Sequence, residues 1–265
     1  PVDRSEFVSA RLYTGPMYLK YNAVLRGLQF HDDRFRSELV RMCCSKQTAE
    51  EYTSGRLHFE DARGSLNLYT TTLHAVNSAI IKLSKLTRAA KVYRGVSGGV
   101  LPDACRTANE YGVKGGVEGG FMSTTTDRKT ALFYAQGGAD KSKHGTSAIL
   151  FETQMGMVDR GADVGWLSEF PQEAEILFAP LTGMEVRGSR VEGAVQVYEV
   201  SLTVNMNALT IEKVIAKLKT SHEDLVTMMD NDFRANNLPD AAVTPLRDWM
   251  GTARAHEASW FNDAQ

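Results

Sequence analysis

The chain has 265 residues, 43% hydrophobic and 23% charged, with a formal net charge of −2. That balance suits one large globular domain or one domain with an appendage, and it excludes the basic footprint of a nucleic-acid binder. No apolar run is long enough to cross a bilayer as a helix, and Cys43, Cys44 and Cys105 do not make a disulfide framework. The sequence also lacks an Asn-x-Ser/Thr acceptor, which favours a reducing, cytoplasmic setting. The chain begins at Pro1 rather than Met, so the expectation is a piece of a longer chain, with a targeting signal or partner domain removed.

The first ~90 residues read as helical. In "SLNLYTTTLHAVNSAIIKLSKL", Leu66, Tyr69, Leu73, Val76, Ile80 and Leu83 recur at three and four spacing, the stripe of a helix that packs on a sheet. "FRSELVRMCC" carries a shorter stripe of Phe35, Leu39 and Met42. From Ala90 the character changes. "AAKVYRGV", "TSAILFETQM", "AEILFAP" and "AVQVYEVSLTV" are short, rich in β-branched and aromatic residues, and bounded by Gly, Pro or polar clusters, so they read as strands. "YGVKGGVEGG" and "QGGADKSKHG" read as Gly-rich connections. "TDRKTALFYA" reads as a helix capped by Thr126 or Asp127.

After about Asn207 the pattern is helical again, with Ile211, Val214, Ile215 and Leu218 on one face. Ser221 is expected to cap a second helix, and Thr244 with Pro245 to start a third. This ordering of helices, strands and helices lacks the regular alternation of a doubly wound sheet and predicts an α+β protein. The predicted organisation is a catalytic domain over residues 1–205, helical to 89 and β-rich from 90, followed by a helical extension over 206–265.

Three stretches carry chemistry. In "VYRG", Arg94 alternates with Tyr93 along a strand, and its permanent charge needs a carboxylate or a phosphate; the ordinary meaning of such an arginine is a structural ion pair. In "GGFMSTTT", four hydroxyl residues from Ser123 can orient a carboxylate or a ribose, although Thr runs more often make an edge strand and a helix cap. In "EAEILFAP", Glu173 and Glu175 stand two apart, so on one strand they share a face. Two carboxylates held together repel and raise one pKa unless a cation arrives. A solvated strand entrance is the plain alternative.

Taken in order, "YRG", "FMSTT" and "EAE" resemble the signature of the arginine-specific mono-ADP-ribosyltransferases of the Arg–Ser–Glu class, over roughly residues 57 to 204. Each motif alone is weak; their order is specific. The third position of the family's Ser-Thr-Ser element is Thr125 here, which keeps a hydroxyl. "DVGWLSEFPQ" stands where the family carries a substrate-recognition loop. The resemblance implies an ADP-ribosyltransferase-like fold with a two-sheet β core around an NAD cleft. It also implies cleavage of the nicotinamide–ribose bond of NAD as co-substrate; separately, the six histidines show no metal-ligand spacing, so no metal is expected. Glu175 would stabilise the positive charge developing on the ribose. Arg94 would hold the pyrophosphate, the Gly95 backbone would approach the nicotinamide amide, and Ser123, with Thr124 beside it, would orient Glu175. Glu173 would bind the acceptor arginine and take its proton. Trp166 and Phe170 would either meet the target protein or pin their own loop. The implied partner is a protein with an accessible arginine, the chain being a monomer or part of a larger multidomain protein, and a secreted toxin is the alternative to a cytoplasmic enzyme. An NAD glycohydrolase and an inactive NAD-sensing module are the competing functions. Arg94 stands where the poly-ADP-ribose branch has a histidine, which argues against chain elongation.

Overall fold

A computed structural model of the chain describes residues 2–29, 32–99, 101–139, 147–156, 158–204, 210–235, 239–257 and 260. It divides into two compact units, Pro1–Ala208 and Leu209–Gln265.

The first unit opens with six helices: α1 (Arg4–Leu12), α2 (Tyr18–Gln29), α3 (Asp33–Cys43), α4 (Lys46–Thr53), α5 (Phe59–Arg63) and α6 (Thr70–Ser84). Their starts follow from side chains that accept orphan amide protons. Asp3 and Glu6 form a reciprocal capping box on α1, Asp32 caps α3, and Ser45 caps α4. A π-helical turn, Tyr13–Met17, joins α1 to α2; Pro16 cannot donate there and Gly15 is extended, which kinks the path. The stripe on α6 is buried as its spacing predicts: Val76, Ile80 and Leu83 pack with Tyr13, Phe121, Leu177 and Ala179. Leu39 on α3 is buried with Val24 and Cys43.

The strands are β1 (Lys91–Ser97), β2 (Gly115–Glu118), β3 (Met122–Thr125), β4 (Ala148–Gln154), β5 (Ala162–Asp163), β6 (Glu175–Phe178), β7 (Thr182–Glu192) and β8 (Val195–Thr203); α7 (Arg128–Ala135) follows β3. Asp127 is the cap of α7, accepting from the Lys129 and Thr130 amides. β2 lies within the Gly-rich stretch read as a connection, because glycines that lower strand propensity still pair when an edge is available, here that of β7.

The expected two-sheet core is corrected. The described strands form one eight-stranded sheet in the order β2-β7-β8-β4-β1-β3-β6-β5. The halves join through one registered pair, Tyr93 opposite Thr125. Side chains from both halves, Val92, Ile149 and Phe151 with Met122, Ile176 and Phe178, meet in a single cluster. Burying apolar residues from both sides of so narrow a junction gives a core like that of two packed sheets, within a continuous hydrogen-bonded order. On another face, Ala131 and Ala135 of α7 lie on Leu150 and Val197.

The second unit holds α8 (Ile211–Ala235) and α9 (Asp240–Ala255). Ser221 starts no helix, since α8 runs through it unbroken, and α9 begins at Asp240, before Thr244 and Pro245. The Thr244 hydroxyl donates to the Asp240 carbonyl at 2.8 Å, one turn back within the helix. Asp230 accepts from Arg247 at 2.9 Å and pairs with Arg234 at 2.8 Å. The side chains of Val214 and Leu218, residues 140–145 of the second Gly-rich stretch and residue 146, which opens "TSAILFETQM", lie outside the described residues. Among the described residues, no helix is long and apolar enough to cross a membrane.

Candidate active site

The junction of β1, β3 and β6 brings Arg94, Ser123 and Glu175 together. Glu175 opens β6 opposite Thr125, and Ser123 lies two residues back along β3, so these two side chains share one face. Arg94, next to the Tyr93 that pairs with Thr125, bonds the Ser123 carbonyl and acts on Glu175 through its charge. Glu175 is 7% exposed. Burial pushes its carboxyl above the usual carboxylate range, and the negative charge of Glu173 adds to the rise. The Ser123 hydroxyl and Arg94 act in the opposite direction without cancelling it. The two hydroxyls that follow Ser123 are committed to backbone. Thr124 donates to the Ile176 carbonyl at 2.8 Å and Thr125 to the Glu173 carbonyl at 2.6 Å.

Glu173 and Glu175 do not sit on one strand. Glu173 ends a 3₁₀ turn, Pro171–Glu173, and Ala174 between the acids is left-handed, with φ 46° and ψ 51°. The shared face expected from strand alternation therefore gives way to a sharp turn that still leaves Glu173 close enough for its charge to act on Glu175. The Tyr134 hydroxyl on α7 donates to Glu173 Oε1. Burial and the adjacent Glu173 charge push the phenol pKa up.

Arg94 finds the anionic partner its position demands. Its Nη1 donates to the Ser123 carbonyl at 2.8 Å, and its Nη2 lies 3.5 Å from Glu118 Oε2. Glu118 also accepts two bonds from Arg26 of α2, at 2.9 and 3.1 Å, and one from the Gly120 amide at 2.9 Å. Burial alone would raise the Glu118 pKa; the Arg26 bonds and the Arg94 charge outweigh it and hold the carboxyl below its ordinary value. Gly95 has a packing reason to lack a side chain: a Cβ there would stand 1.9 Å from the Ala131 carbonyl oxygen and 2.6 Å from the Ala135 nitrogen, both α7 backbone.

The loop before the acid pair carries Trp166, 61% exposed, and Phe170, 42% exposed. The Trp166 indole N–H donates to the Asp163 carbonyl at 3.1 Å, and its ring stands 5.9 Å from that of Phe7 on α1. The ring is thus both held by the chain and open to solvent.

Glu118, Arg26 and Tyr134 were not singled out in the sequence. The first had a signal: a guanidinium on an apolar strand requires an acid, and Glu118 is the lone acid in its glycine-rich stretch. Tyr134 had only its place on the exposed side of a helix whose alanines face the sheet.

This fold is that of the ADP-ribosyltransferases. Over 75% of this chain and 76% of that one, it matches the ADP-ribosyltransferase HopU1 of Pseudomonas syringae with a TM-score of 0.50 and 18% identity. The Salmonella SpvB domain aligns over 76% of this chain and 100% of its own at TM-score 0.49 and 16% identity. The Vis toxin, an ADP-ribosyltransferase from Vibrio splendidus, aligns over 78% and 76% at TM-score 0.46 and 19% identity. No protein-family model and no curated protein matches the sequence.

Proposed function

We propose that the chain transfers ADP-ribose from NAD to an arginine side chain of a target protein and releases nicotinamide. The observation that carries this reading is a buried glutamate beside a serine hydroxyl, with a second glutamate held next to it by a strained turn. Such a pair is electrostatically unfavourable by itself, and a cationic ligand between the acids reverses the sign of the interaction. The fold it shares with HopU1 supports the same reading.

NAD fits this donor set: a buried carboxylate for a centre that gains positive charge, a hydroxyl, and a guanidinium with donors to spare after Ser123 and Glu118. When bound, NAD supplies the ADP-ribosyl group and the bond to nicotinamide that is cleaved. Glu175 stabilises the positive charge that develops as that bond breaks, and it does so best in a water-poor site. Ser123 orients Glu175 and favours its ionised form. Arg94 fixes the Ser123 strand through its carbonyl and contributes its remaining donors to the pyrophosphate. Gly95 and Thr124 line the nucleotide side with backbone and with a fixed strand. Glu173 binds the acceptor guanidinium and takes its proton during attack, because a protonated guanidinium is a poor nucleophile. Trp166 and Phe170 meet the target protein as aromatic anchors.

The test is incubation of the purified chain with NAD and agmatine, with nicotinamide and conjugate separated by chromatography. ADP-ribosyl-agmatine that disappears in Glu175→Ala is the expected result. Nicotinamide without conjugate would make the chain an NAD glycohydrolase, and NAD binding without turnover would make it a sensing module.

A further inference from the structure

We propose that Arg11 is a positioning residue for the acceptor glutamate, Glu173, acting through the loop that precedes it; this rests on the acceptor role given to Glu173 above. Helix α1 lies outside the stretch that resembles a known family, yet it holds the recognition loop at several points. Arg11 Nη1 donates to the Leu167 carbonyl at 2.8 Å and also to the Ser168 carbonyl. Both loop residues are buried, so these carbonyls need a donor from the protein. One turn on, Thr14 Oγ1 accepts from the Glu169 amide at 3.0 Å. Gly15 leaves room for the Glu169 carboxylate, which lies 2.2 Å from where a Cβ would stand. The Phe7 ring backs Trp166.

From that clamp a short series of bonds leads to the acid. The Ser168 hydroxyl accepts from the Phe170 amide at 3.0 Å, and the Phe170 carbonyl accepts from the Glu173 amide at 3.0 Å. The far end of the series is also fixed, because Glu6 of α1 is fully buried and bonded to Ser78 and to Lys82 of α6, the latter at 2.7 Å. A buried carboxylate paired in this way does not slide. Helix α1 is therefore a strut from α6 to the acceptor loop, and Arg11 is the point where it grips. Glu175 depends on β3 and β6 instead, so the clamp serves the acceptor side of the site and not the NAD side.

The experiment uses the full chain with Arg11→Met, Arg11→Lys and Thr14→Val, each compared with wild type for agmatine KM, for kcat and for nicotinamide release without acceptor. Misplacing a binding group costs on the order of tenfold or more, so Arg11→Met is expected to raise agmatine KM by about that factor. Acceptor-free nicotinamide release should stay within about twofold, since a lost uniform binding contact leaves the other step alone. Arg11→Lys should recover part of the KM, and Thr14→Val should fall between it and Arg11→Met. The readout independent of activity is acrylamide quenching of Trp166 in a Trp249→Phe, Trp260→Phe background. Faster quenching in Arg11→Met supports the clamp, and unchanged quenching overturns it. If wild type forms no conjugate, the acceptor role falls while the quenching still decides the clamp. A parallel fall of both activities in Arg11→Met would make Arg11 a general stability residue and overturn the proposal.

Discussion

Glu173 and Glu175 are separated by one residue, Ala174, whose backbone is left-handed at φ 46° and ψ 51°. That conformation costs an alanine about 1–2 kcal/mol, and it persists because β6 fixes one side and the Thr125 hydroxyl holds the Glu173 carbonyl on the other. The turn lets Glu175 enter the sheet while Glu173 stays outside it.

Ala174→Gly should therefore retain activity and gain stability, whereas Ala174→Val should lose about 1–2 kcal/mol more, because a β-branched side chain tolerates positive φ poorly. Thermal denaturation with agmatine transfer checks both. Equal stability of the two variants would mean that the turn stores no strain.

Glu175 gives a stability prediction of definite sign. Its folded pKa is raised, so the folded state holds the proton more tightly than the unfolded state does. The contribution to stability is present below the ordinary carboxylate pKa and is lost as pH rises through the raised value. Glu175→Gln should consequently be inactive yet more stable than wild type at neutral pH, with the advantage shrinking in acid. A Glu175→Gln variant that melts below wild type at neutral pH contradicts this.

The acid limb of the rate should follow the same carboxyl. Activity falls as pH drops through the raised Glu175 value, and removing the Glu173 charge takes away one of the causes of the rise. Nicotinamide release by Glu173→Gln should show its acid limb at lower pH than wild type. A limb that stays in place would assign the titration to another group.

Glu118 works in the other direction. Its pKa is lowered, so its contribution is present above the ordinary carboxylate range and is lost as pH falls through the depressed value. Glu118→Gln leaves Arg26 and Arg94 without their shared anion and should cost about 2–3 kcal/mol. Chemical denaturation at neutral and acid pH measures it, with the gap to wild type expected to close in acid.

Gly95→Ala should behave as a packing mutant. The new methyl meets α7 backbone at 1.9 Å, and backbone cannot step aside as a side-chain tip can. A loss of about 1–3 kcal/mol is expected. Full stability would show that α7 shifts freely.

Much of this was legible in the sequence, for identifiable reasons. The stripe on α6 and the short apolar strands are local patterns, and local patterns survive into the fold. Ser123 and Glu175 were legible because each sits at or next to a strand end, and Arg94 because a guanidinium within an apolar strand demands an anion. The turn at Ala174 was not, since an alanine carries no sign of positive φ. Nor were Arg26 and Arg11, whose partners lie 92 residues away for Arg26 and Glu118, and 156 for Arg11 and Leu167. The unbroken α8 shows the same limit: Ser221 is a good cap by type, but helix continuity across it is decided by neighbours.

The division of labour between the two acids is the centre of the account, and one paired measurement tests it directly. Glu175→Ala and Glu173→Gln are assayed side by side for ADP-ribosyl-agmatine and for nicotinamide released without acceptor. The account predicts that Glu175→Ala loses both, while Glu173→Gln loses the conjugate and keeps nicotinamide release. Equal loss of both activities in Glu173→Gln would contradict it.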